Sequence, residues 1–103
     1  MLKYIEIDKE LVPYKFDITL VGETYTFDVK YNALKDFFTV NLYKNDEAIV
    51  LGEKLLYGKP LFLNCTHRDA PKVDILPYDL TEKTERITFE NLNEQVFLFL
   101  VGD

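Results

Sequence analysis

The residues of this chain best suited to chemistry are Cys65, His67 and Asp69, spaced i, i+2, i+4 in the order nucleophile, base and orienting carboxylate. On an extended strand the three would share one face. Same-face neighbours on a strand lie about 7 Å apart, however, whereas catalytic partners meet at about 3 Å. The expectation is a half-buried cysteine at a strand end, followed by a solvated loop from His67 to Ala70. The rest of the inventory removes whole enzyme classes. There is no serine, so serine hydrolases with a Ser-His-Asp triad are excluded. One histidine and one cysteine build neither an HExxH metalloprotease, a two-histidine metal site nor a structural zinc site.

Two further groupings come near to a motif and fail on spacing. The stretch from Gly52 to Pro60 approximates a P-loop, but five residues separate Gly52 from Gly58 instead of four. Pro60 also stands where the magnesium-binding Ser or Thr belongs, so the stretch reads as a strand with a turn glycine at each end. Asp79, Glu82 and Glu85 would form a glycosidase-like pair only by tertiary coincidence and read as a solvated loop. No carboxylates follow the D-x-[DN]-x-[DN]-G calcium pattern. No catalytic residue, cofactor or metal is expected.

Charge and composition narrow the partners. The net charge is −6 and the lysines and arginines are scattered singly, so a polyphosphate backbone finds no footprint and direct nucleic-acid binding is not expected. Charged residues from Lys3 to Asp17 interrupt any signal-peptide centre, and no later stretch approaches the ~18 apolar residues of a membrane span. Synthesis and assembly in a cytoplasm, away from membranes, are the expectation. Eight Phe and seven Tyr can supply about 2,000 Å² of buried contact, enough for a core without disulfide or metal. They also keep open an alternative, a carbohydrate- or protein-binding β module with an aromatic platform.

The elements that would position these residues are strands. Phe16, Ile18 and Leu20 alternate with Asp17 and Thr19; Tyr25, Phe27, Val29 and Tyr31 alternate with Thr26, Asp28 and Lys30. With Gly22-Glu23 between them, the two runs predict a β-hairpin. A looser connection at 32–36 leads to a strand over 37–43, and Asn45-Asp46 turns into a strand over 48–51. This is a meander of four antiparallel strands. Further on, 61–65, 73–76, 86–89 and 96–101 read as strands punctuated by Pro60, Pro71 and Pro77. The reading is a single all-β domain over 1–103, a small antiparallel barrel or sandwich of about eight short strands.

The order of segments resembles the baseplate plug proteins of contractile-tailed bacteriophages. The likeness is carried by Phe16-x-x-x-Leu20-x-Gly22-x-x-Tyr25-x-Phe27, by Tyr31-Asn32, by 36–42, by 55–61 and by Pro77-x-Asp79-x-Thr81. It covers nearly the whole chain. The resemblance implies a non-enzymatic structural part of a virion tail baseplate, near the axial hub between tail tube and spike. Hub, spike and tube proteins, or further copies of the chain, would be its partners.

The last strand carries the candidate interface. Val96, Leu98 and Leu100 form one face and Phe97, Phe99 and Val101 the other, so both faces are apolar. A strand in a small antiparallel sandwich ordinarily wets one face. Here the second face needs a cover, either the loop from Asp79 to Arg86 or another chain, and another chain is the favoured reading.

Overall fold

The computed structural model describes residues 3–63 and 65–101. Ile5 and Ile7 alternate with Glu6, and both are buried, which draws the short first strand β1 (Tyr4–Ile5) onto the protein. A 3-10 turn over Lys9–Leu11 follows, capped by Asp8, whose carboxylate accepts the Glu10 N–H. The alternating runs then fold as predicted into β2 (Tyr14–Leu20), β3 (Glu23–Asn32), β4 (Phe37–Lys44) and β5 (Glu47–Lys54). These form one antiparallel sheet in sequence order, the expected meander. Phe16 stands opposite Phe27 and Ile18 opposite Tyr25, so the apolar residues of both runs share a side.

Turn chemistry sets that register. The first hairpin turns on Val21 and Gly22, at φ 49° and 78°, one residue earlier than the expected Gly22-Glu23. Asn45 and Asp46 repeat the pattern at 52° and 66°. Two central residues with positive φ make type I′ turns, whose twist matches that of paired strands. β5 runs longer than expected, through Gly52 at φ 72°, where a bulge breaks the pairing with β4 and the Gly52 N–H donates to Asn41 Oδ1. The glycine thus lies inside a strand and does not end one.

The second sheet has the order β1-β7-β6, with β6 at Asp74–Tyr78 and β7 at Phe97–Val101. Among the described residues, seven strands in two sheets, with no closed barrel, make a sandwich-like fold. Inner-face residues of both sheets, among them Phe27, Phe38, Val40, Ile75 and Leu98, enter one hydrophobic core.

Two expected strands, 61–65 and 86–89, do not form among the described residues, outside which Asn64 of the first lies. Residues 61–63 form a turn in which Phe62 takes φ 60°. The segment closes the free side of β6 instead: the Gly58 N–H donates to the Pro77 carbonyl at 2.9 Å and the Leu61 N–H to Ile75 at 2.8 Å. Residues 86–89 are diverted because Thr88 and Asn91 satisfy each other's main chain. Asn91 Oδ1 accepts the Thr88 N–H and Thr88 Oγ1 accepts the Asn91 N–H. Asp36 fastens this segment to the meander. Its carboxylate accepts the Tyr31 hydroxyl and the Phe89 N–H, while Arg86 donates to the carbonyls of Lys35 and Asp36.

Val21 is a β-branched residue in the left-handed region and 55% exposed, so it holds the turn at a conformational cost with no core contribution to offset it. Val21→Asn should stabilise the protein by about 0.5–1 kcal/mol, read as a higher denaturant midpoint at unchanged slope.

Candidate interaction surface

The grouping that the sequence placed closest to catalysis does not assemble. His67 Nδ1 accepts the Asp69 main-chain N–H at 3.0 Å, and its Nε2 lies 3.4 Å from Glu47 Oε2. Cys65 is half-buried and bonds to neither residue among those described; its own N–H donates to the Phe62 carbonyl. It follows a turn and ends no strand. Glu47, His67 and Asp69 are close enough to suggest a cation site. The Nδ1 lone pair is occupied by the Asp69 N–H, however, and the Lys44 ammonium stands 3.7 Å from Asp69 Oδ1. The cluster is held together by that hydrogen bond and by the Lys44–Asp69 ion pair.

The two sheets differ in what they turn outward. On the outer face of the meander, Lys15, Asp28 and Asn41 lie in one cross-strand row and Asp17, Thr26 and Tyr43 in the next. Thr26 Oγ1 donates to Asp17 at 2.7 Å, and Thr19 and Thr24 bond to each other. The Lys15 ammonium sits 5.7 Å from the Tyr43 ring centre. Asp28 is buried, but among these polar neighbours and outside the core, where it accepts from Asn41 Nδ2. This face is built for water.

The outer face of the small sheet is apolar. Pairing places Tyr4, Phe99 and Leu76 in one row, Phe97 beside Tyr78, and Val101 beside Asp74. Phe99 is only 5% exposed and yet stands apart from the core cluster that takes in Leu98, as the opposite face of β7 requires. Tyr4 and Val101 are exposed and Phe97 is half-buried. The rings of Tyr4, Phe97 and Phe99 pack at 4.8–6.2 Å with mutual tilts of 54–75°. An open groove of about 530 Å³ runs beside them, walled by Asp79, Leu80, Thr81, Glu94 and Gln95. All three residues expected at the interface are thus on one outward surface. Tyr4, Leu76, Tyr78 and Leu80 join them, none of which the sequence reading singled out. The alternation of Ile5 and Ile7 was the signal that could have brought Tyr4 in.

Asp79 holds one wall of this groove and is no solvated loop residue. It is 2% exposed, its Oδ1 accepting the Thr81 N–H and hydroxyl and its Oδ2 the Thr84 hydroxyl. The Tyr57 hydroxyl accepts the Asp79 N–H, and Tyr57 stacks on Tyr78. This turn projects Leu80, 61% exposed, toward the aromatic strip. Glu82 and Glu85 remain exposed, so no carboxylate pair forms with Asp79.

The chain matches the cyanophage baseplate Pam3 plug gp18 family over residues 2–103. No curated protein and no solved structure gives a significant match.

The hydrogen bonds from Thr81 and then Thr84 hold the Asp79 carboxyl down at about 2, below its ordinary value. A carboxylate more acidic in the folded than in the unfolded chain stabilises the fold above about pH 4, and that contribution disappears as pH falls toward 2. Asp79→Asn should therefore lower the Tm at pH 7, and the gap to the parent should narrow between about pH 4 and 2. Thermal melts across that range check it.

Proposed function

Since the chain belongs to the cyanophage baseplate Pam3 plug gp18 family, we propose that it is a non-catalytic packing element near the axial hub, between tail tube and spike. A structural role in a phage baseplate follows from the family. A packing role within it is supported by the contrast between the two outer faces, which is the observation that carries the reading. A water-facing sheet covers one side of the domain, while Tyr4, Phe97, Phe99 and Val101 lie on the other. An apolar, aromatic surface with a nearly buried centre and a polar rim is the anatomy of a protein interface. Hub, spike or tube proteins, or a further copy of the chain, would cover it after synthesis in the host cytoplasm. The net charge of −6 fits a surface that does not hold nucleic acid.

A carbohydrate module is the competing reading, and the ring geometry weighs against it. Sugars stack on a flat aromatic face, whereas these three rings are tilted by at least 54° to one another.

Substitutions on the two faces of β7 separate folding from assembly. Leu98 is fully buried, and even truncation to alanine costs about 2–5 kcal/mol, so Leu98→Asp should unfold the domain. Phe97→Asp forfeits the ring contacts with Tyr4 and Phe99, each worth about 0.5–1.5 kcal/mol. It should stay folded by circular dichroism yet fail to enter tail particles in a complementation assay. Equal unfolding of both variants, or normal incorporation of Phe97→Asp, would contradict the assignment.

A further inference from the structure

A second surface differs in both place and chemistry. β5 is an outer strand, and along its free side no main-chain hydrogen bond forms among the described residues. β6, by contrast, is closed by Gly58 and Leu61, and β1 is two residues long. Beside β5 runs an open groove of about 910 Å³ whose far wall is formed within residues 56–63 and 65–67. Ile49, Val50, Leu56 and Leu63 line it, with Leu56 42% and Leu63 63% exposed. Lys54 and Lys59 also line it, as does His67, whose Nε2 faces Glu47.

The charge of this groove opposes that of the molecule. The chain as a whole carries −6, yet Lys54 and Lys59 have no ion-pair partner among the described residues. Lys54 rests 4.3 Å above the Phe37 ring. The acid within the lining, Glu53, is turned inward, where its Oε2 accepts the Phe62 N–H at 2.9 Å. Apolar walls, two unneutralised lysines and an open strand edge call for an extended polypeptide that alternates apolar side chains with carboxylates.

We infer that the groove between β5 and residues 56–63 and 65–67 docks an acidic, apolar, extended segment of a neighbouring protein. Main-chain groups of β5 on either side of the Gly52 bulge meet its backbone, the leucines and Val50 take alternate apolar side chains, and Lys54 and Lys59 take its carboxylates. A nucleic acid fits less well, since two lysines are a small footprint and the net charge repels a polyanion. The inference rests on this groove alone and stands whether or not the aromatic face is used.

The test is fluorescence anisotropy with a short labelled peptide alternating aspartate or glutamate with leucine and valine. A counterpart with lysine at every acidic position and an oligothymidine serve as comparisons. The acidic peptide should bind, and binding should weaken with added salt. The Lys54→Glu/Lys59→Glu variant, with both lysines on the surface and the Tm as a check on folding, should lose about tenfold or more in affinity. Phe97→Asp should bind as the parent does, which separates this groove from the aromatic face. Absence of binding, equal binding of the lysine counterpart or the oligothymidine, or undiminished binding by the folded double variant would overturn the inference.

Discussion

Strand side chains alternate between faces, so a two-sheet protein that buries its inner faces must still decide what its two outer faces meet. Here that constraint is resolved differently on each side. The core consumes Phe27, Val29, Phe38, Val40 and Leu42 from the meander, and Ile75 and Leu98 from the small sheet. What alternation leaves outside on the meander is threonine, lysine, aspartate and asparagine, paired across strands. What it leaves outside on the small sheet is Tyr4, Leu76, Tyr78, Phe97, Phe99 and Val101. The same period of two that makes the fold therefore leaves these apolar side chains outside, and one residue of slip on β7 would exchange the core and surface roles of Leu98 and Phe99.

Carboxylates hold the irregular half in place. Asp36 gathers the Tyr31 hydroxyl, the Phe89 N–H and, at 3.6 Å, the Arg86 guanidinium, which ties the β3–β4 loop to the segment that follows β6. The Tyr31 hydroxyl first, then the Phe89 N–H, hold its carboxyl below the ordinary range. Asp79 does the same for the turn beside the aromatic strip. Both convert loops without secondary structure into walls with defined positions, and the groove beside Phe97 exists because the Asp79 turn is held.

The meander was legible because its information is local. Alternation within Phe16–Leu20 and Tyr25–Tyr31, together with turn residues that tolerate positive φ, specifies pairing between neighbours in sequence. Both apolar faces of β7 were also legible, and with them Phe97, Phe99 and Val101. The remainder depended on turns and side-chain partners that alternation does not encode. β1 joins β7 through pairs such as Tyr4 with Phe99, and nothing near Tyr4 announces that partner. Residues 61–65 look like a strand by composition, but Pro60 precedes them, Phe62 turns, and the Leu61 N–H serves β6. Asp79 reads as one acid among several, because its burial is created by Thr81, Thr84 and Tyr57 arriving around it.

The central claim, that the outer face of the small sheet is covered in the assembled baseplate, is tested most directly by hydroxyl-radical footprinting. The isolated chain and the intact tail particle would be compared by the oxidation rates of Tyr4 and Phe97, with Tyr43 on the water-facing sheet as the internal reference. The account predicts that assembly protects Tyr4 and Phe97 strongly while Tyr43 changes little. Oxidation of Tyr4 and Phe97 at the same rate in the particle as in the free chain would contradict it.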